Sequence, residues 1–430
     1  MIWLVHRRRG TDSGLAVALI PSHCGKLDYR TRTVRPAEFP LGVRRMLGLS
    51  DVASRIVQST IRTMSVECEK VSGVNLAQGV CDTEVPAIVR RAAEDAIEAG
   101  NNQYTRAEGI ATLRSAIAKK LLRQNGITAD PDSEVLVTSG VTGGFDSACR
   151  ALLNPGDEVV LFEPYYGYHH ATLVGQYCKP VLVSLDPPDY PLVADRLAAA
   201  ITPKTRGIVV NTPSNPSGKL FSVAELEQVA AIARHHDLFL FTDEIYEHFV
   251  YDGERHISPA SLPGIADRTI TISGFSKVFS ITGWRVGFLH ASARWIPAIN
   301  YFHDLTYVCA PSPFQHGTAA GLEQLPDSFY AELIQEYQLK REMICAALRV
   351  AGLEPSVPAG AYYVLADASA VPGAESVEKA MNLLRITGVA SVPGDAFFQE
   401  GRGDHLLRFC FAKTDADLAD ACDRLAKLRR

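Results

Sequence analysis

The chain has 430 residues, 47% of them hydrophobic, and a formal charge of −5 at neutral pH. That length supports a large buried core and about two domains, while the near-balanced, well-mixed charge argues against a nucleic-acid or membrane-surface partner. No uninterrupted apolar run approaches the roughly 20 residues of a membrane-spanning helix.

Residues 1–45 are rich in arginine, poor in acids and without a helical or strand period. MIWLV precedes HRRR, the reverse order of a secretory signal. The segment reads as a transit peptide or as sequence upstream of a true start at Met46, and it is expected to be a poorly ordered extension. Residues 46–84 are expected to form an N-terminal arm and part of a smaller domain. From residue 85 the pattern alternates. PAIVRRAAEDAIEAG and GIATLRSAIAKKLLRQNG have helical spacing and end at glycine. The runs EVLVTSG, DEVVLFEP, KPVLVSL, RGIVVNTP, LFLFTDE and RTITISG suit buried strands, with helices such as FDSACRALLNPG and SVAELEQVAAIARHHD between several of them. Such alternation predicts a mostly parallel sheet covered by helices on both faces. Residues 85–320 are therefore expected to be the large domain. Beyond it, DSFYAELIQEYQLKREMICAALRVAG, AYYVLADAS, HLLRFCFA and TDADLADACDRLAKLRR predict a smaller α/β domain over 321–430, with Thr414 capping the closing helix.

In parallel sheets, ligands collect beyond the carboxyl ends of the strands. Thr142, Tyr166, Asn215, Asp243 and Lys277 each follow a different predicted strand, so five segments converge on one rim. Each has an ordinary reading when taken alone. Lys277, in SGFSKVFSITGWRVGF, would be a solvated surface group. Asp243 would be a helix N-cap, and Asn215, in NTPSNPSG, a turn residue. The loop VTSGVTGG, leading from a strand into a helix, offers free N–H groups to an anion. Together they describe a phosphorylated heteroaromatic aldehyde. Gly140, Val141, Thr142 and Arg285 would hold a phosphate, Asp243 a protonated ring nitrogen, Tyr166 a ring face, and Lys277 the aldehyde carbon.

The ordered set NTPSNPSG, TDEIY, SKVFSITGWRVG and LLRFCFA resembles the class I aminotransferases of fold type I, in the aspartate, aromatic and kynurenine aminotransferase group. The likeness covers residues 65 to 430. It implies a seven-stranded, mostly parallel sheet between helices, a smaller domain built from both chain ends, and pyridoxal 5′-phosphate as cofactor. Lys277 is then the Schiff-base lysine and the acid and base at the substrate α-carbon. Asp243 keeps the pyridine nitrogen protonated. Tyr246 and Asn215 donate to the cofactor 3′-oxygen, and Ser276 and Arg285 belong to the phosphate site. Arg408 clamps the substrate α-carboxylate near Asn215 and Gly79. Tyr104, in NNQYTRAEG, corresponds to a tyrosine that reaches the neighbouring subunit's phosphate, implying a homodimer with shared sites; a core aromatic is the other reading of it. The reaction implied moves the amino group of an L-amino acid to a 2-oxo acid.

Several positions depart from the family pattern. Gly274 stands where many relatives carry a phosphate-binding serine, so Ser273 or Ser276 is expected to substitute. Ser217 replaces a threonine, Tyr166 stands where aspartate aminotransferases carry a tryptophan, as it does in several other subgroups, and CAPSPFQHGTAAG lacks the arginine with which dicarboxylate-specific members bind a second carboxylate, leaving Arg106 or another cation as a candidate. The same residues could serve a carbon–sulfur β-lyase. A transcription regulator would need a helix-turn-helix module, for which the residues before the resemblance lack the period, and TSGVTGG lacks dinucleotide-binding spacing. Nine scattered cysteines without a C-x-x-C pair, and histidines in adjacent pairs (169–170, 235–236), predict no metal site, no disulfide framework and a cytoplasmic protein.

Overall fold

Short β-branched and aromatic runs fold as seven strands in the computed structural model, which describes residues 48–53 and 60–429. The expected extension at residues 1–45 lies outside the described residues. The strands are β1 Val135–Thr138, β2 Glu158–Glu163, β3 Lys179–Ser184, β4 Thr205–Asn211, β5 Phe239–Asp243, β6 Thr269–Gly274 and β7 Gly287–His290. They line up in the order β1-β7-β6-β5-β4-β2-β3. All neighbours are parallel except β7, which runs antiparallel to both β1 and β6, His290 lying opposite Val135 on one side and Thr271 on the other. Six strands match the sequence expectation; β7 was not foreseen, because four residues after a glycine-bearing turn leave little pattern.

Strand alternation decides which side chains meet which helix layer. Val159 and Leu161 pack with Phe145, Ala148 and Ile299 in one cluster, under helices Gly140–Leu152 and Ile296–Tyr307. Val160, Ile208 and Leu240 point to the other face, against Leu226 and Val229 of helix Val223–His235. That helix starts at a capping box in which Ser222 and Glu225 satisfy each other's backbone N–H groups. Full burial of each such side chain stabilises the fold by about 1.5–3 kcal/mol.

The second cluster continues into an antiparallel four-stranded sheet with the order Val392–Pro393, Leu406–Cys410, Tyr363–Asp367, Glu354–Ser356. Val74–Asn75 pairs in parallel with Val389–Ala390, and the Cys410 N–H donates to Leu76 O. The segment before the large sheet is thereby fixed against the last strand of the chain. Helix Asp327–Ala351 ends at Gly352 in the left-handed region, and helix Asp415–Leu425 is capped by the Thr414 hydroxyl, as its sequence predicts. Asp51–Arg430 is a compact unit of its own.

Candidate active site

Lys277 lies in the turn after β6, and its ammonium donates to Gly79 O at 3.0 Å and faces the Tyr362 ring at 5.8 Å. Burial pulls this amine below its ordinary value, and the charge of Arg285 adds to the effect; the Cys81 and Cys410 thiols and Asp243 oppose it. The Cys81 thiol reaches Lys277 O at 3.6 Å and Tyr362 Oη at 3.5 Å, joining the Gly79 segment to the lysine turn.

Asp243 closes β5 and is 3% exposed. One carboxylate oxygen accepts the Ile245 N–H at 3.2 Å; the other lies 2.9 Å from His169 Nε2. His169 stands edge-on to Tyr166 at 5.2 Å. Burial pushes the Tyr166 phenol above its ordinary value, so the side chain is a neutral ring. Tyr246 is also buried, and its hydroxyl meets that of Tyr363 at 2.9 Å.

Helix Gly140–Leu152 begins where β1 ends. Gly140 has φ +70°, and any side chain there would overlap the Arg285 guanidinium, so only glycine lets the first turn and that cation meet. Arg285 itself takes φ +57°, an uncommon conformation for a residue with a side chain. Val141 and Thr142 stay accessible at the open helix end. Gly274 has a structural reason: a side chain there would begin 3.0 Å from Gly287 Cα across the β6–β7 pairing. Ser273 is committed elsewhere, donating to Glu247 at 2.7 Å, whereas Ser276, next to the lysine, is 6% exposed.

Arg408, 1% exposed, sits in the last strand. It donates to Asn215 Oδ1 at 2.9 Å and Ala77 O at 2.5 Å, and lies over the rings of Tyr363 at 4.4 Å and Phe397 at 5.0 Å. Its Nε has no acceptor, and no carboxylate pairs with it among the described residues. The Asn215 N–H is held by Asn211, whose amide also donates to Asp243 O. One continuous set of contacts thus links Lys277, Gly79, Tyr246, Asp243, Asn215 and Arg408.

Tyr104 is separate from this set. It is 81% exposed, which overturns the core-aromatic reading. Arg106 is likewise exposed and pairs with Glu108. Sequence reasoning missed His169, Tyr362 and Tyr363. Adjacent histidines suggested nothing beyond an unsuitable metal pair, yet His169 turns to Asp243 while His170 turns to Gln399. The spacing of His169, three residues after Tyr166 at a helix start, was the available signal.

Known proteins share both the pattern and the fold. The family described as aminotransferase class I and II matches residues 71–425. The probable N-succinyldiaminopimelate aminotransferase DapC of Mycobacterium tuberculosis is 36% identical over 376 residues, 85% of this chain and 94% of that protein. The aromatic-amino-acid aminotransferase 2 of Thermococcus litoralis is 32% identical over 385 residues, 89% of this chain and 98% of its own. A solved structure of the M. tuberculosis N-succinyldiaminopimelate aminotransferase superposes with a TM-score of 0.86 at 35% identity, covering 89% of this chain and all of that one.

Proposed function

The chain belongs to the class I and II aminotransferase family, and from that premise we propose that Lys277, Asp243 and Arg408 carry out amino-group transfer at the rim of the seven-stranded sheet. It is a pyridoxal-phosphate-dependent transaminase of fold type I. The relatives named above are aminotransferases, which favours transfer over the β-elimination that the same residues could support.

The residues present fit that cofactor. A helix end with a glycine cradle beside Arg285 suits a phosphate, and a buried carboxylate backed by histidine suits a protonated ring nitrogen. When bound, pyridoxal phosphate supplies an aldehyde for the lysine amine and a ring that takes up the electron pair left at the substrate α-carbon. Gly140, Val141, Thr142, Ser276 and Arg285 hold the phosphate end. Asp243, fixed by His169, holds a proton at the ring nitrogen. Tyr246 and Asn215 donate to the ring oxygen, and Tyr166 covers a ring face. Burial makes the Lys277 amine less basic, the direction that a nucleophile and base needs, and its role would be to move a proton to and from the α-carbon. Arg408 and Gly79 would orient the substrate carboxylate.

The observation that carries this reading is Arg408. A buried guanidinium held only by neutral groups calls for an anion from outside the chain. An α-carboxylate, bidentate and planar, has the matching geometry. We further infer a large domain over 85–320 with a smaller one formed by 46–84 and 321–430. The inferred assembly is a homodimer in which exposed Tyr104 reaches the other copy's phosphate site. The inferred role lies in biosynthetic amino-acid metabolism in the cytoplasm.

Offering L-amino acids one by one to the cofactor-loaded protein tests the reading. At least one should convert the bound cofactor to its amine form, and a 2-oxo acid should reverse the change. Release of ammonia and pyruvate with no amine form would establish elimination instead, and an unchanged spectrum across the panel would refute both.

A further inference from the structure

The loop that opens the phosphate cup is anchored from beneath by a residue that no motif contains. His303 lies on helix Ile296–Tyr307 and is fully buried. Its Nε2 is 2.9 Å from the backbone N of Ser139, the residue preceding Gly140. A backbone N–H can only donate, so this ring nitrogen is the acceptor and the proton sits on Nδ1. Nδ1 has no partner among the described residues. One turn further on, Tyr307 packs on Gly143, where an added methyl would sit 3.2 Å from its ring. The same helix therefore presses on the start of helix Gly140–Leu152 at two points, and Thr138 secures the cup a third time by donating to Gly140 O at 3.0 Å.

We propose that His303 is a positioning residue for the phosphate cup, acting as a neutral acceptor that fixes Ser139 and so aims the N–H groups of Gly140, Val141 and Thr142. This rests on the assignment of that cup to the cofactor phosphate. A histidine beneath an anion site invites a charge role, but the geometry opposes it: a proton on Nε2 would set two N–H groups against each other. Burial lowers the imidazole to about 4, against the pull of Asp304, which keeps it neutral at working pH. Without the acceptor, the Ser139 N–H is left unsatisfied unless the peptide turns, and turning it misdirects the donors that follow.

The full-length chain, stripped of cofactor, is titrated with pyridoxal 5′-phosphate and separately with pyridoxal, for wild type, His303→Phe, His303→Asn and His303→Gln. Loss of the acceptor should weaken pyridoxal-phosphate binding about tenfold to a hundredfold, with pyridoxal binding unchanged within about twofold. Glutamine, whose amide oxygen reaches the Nε2 position, should restore most of the affinity, and asparagine, being shorter, should not. If the phenylalanine variant does not fold, the glutamine-against-asparagine difference decides the matter alone. Equal losses for both ligands, wild-type affinity in His303→Phe, or no advantage of glutamine over asparagine would each overturn the proposal. A wild type that binds both ligands alike would overturn the cup assignment itself, and the role of His303 with it.

Discussion

Lys120 and Arg408 are both almost free of solvent, and their surroundings treat the charge in opposite ways. Lys120 pairs with Glu247 and donates to Asn125 Oδ1 at 2.9 Å. A turn of π-helix, Leu121–Asn125, brings Asn125 round so that its amide also reaches Glu247 at 2.9 Å, and Ser273 completes that carboxylate. Beside it, Glu244 accepts from Thr242 at 2.6 Å and Ser258 at 2.9 Å, with His256 Nε2 at 2.7 Å. Glu244, Glu247 and His256 lie within 4.8 Å of one another, a spacing that suits a cation, and Lys120 supplies one. Arg408 has no such counter-charge among the described residues. Matched charge around Lys120 builds scaffold; the unmatched charge of Arg408 is what supports its proposed role in holding a ligand.

Substitutions should separate the two regions. Lys277→Ala should lower turnover by about a thousandfold or more and abolish covalent attachment of the cofactor, with little change in melting temperature; single-turnover absorbance and thermal melts measure both. Lys120→Met should do the reverse. It strands Glu247 without its cation and should destabilise the fold by about 3–5 kcal/mol in denaturant titration. The rate per folded molecule should stay within a few fold. Arg408→Lys keeps charge but loses the planar fork, so kcat/KM should fall about tenfold to a hundredfold for every α-amino acid alike. A loss confined to one side-chain class would make Arg408 a side-chain selector. Acid gives the smallest effect. Burial lowers His248 to about 4, so between its ordinary value of 6.5 and that point the unfolded chain binds the extra proton, and stability falls as pH drops through this window. Burial alone would raise Glu247, but Lys120 and the neighbouring histidines outweigh it and hold the carboxyl well below the usual range. Its contribution is thus complete above about 4.5 and is lost on further acidification. Melting temperature should therefore decline by several degrees from pH 7 to pH 5 and faster below, and a flat profile would contradict the half-buried, neutral His248.

Which parts of this could be read in the sequence follows from how far apart the cooperating residues lie. Six strands of the large sheet were legible because each is a contiguous apolar run. Asp243, Lys277 and Arg285 could be singled out as candidates because their neighbours form short, ordered motifs at strand ends. His303 was not, since its partner Ser139 is 164 positions away and nothing in YFHDLTY distinguishes it from a core histidine. Ser273 shows the opposite case: it stands four residues before the lysine in sequence, yet its hydroxyl is taken up by Glu247. Gly274 looked like a lost phosphate ligand until the closeness of Gly287 gave it a packing reason.

Strand β7 also sets a timetable for assembly. It slots between β1 and β6, so the first strand of the sheet cannot be joined to the rest before residues 287–290 have left the ribosome. Gly140 and Arg285, on either side of that late insertion, meet only then. The parallel pairings of the sheet need none of those residues, so on the proposed cup assignment cofactor capture would come late in biogenesis rather than nucleate it.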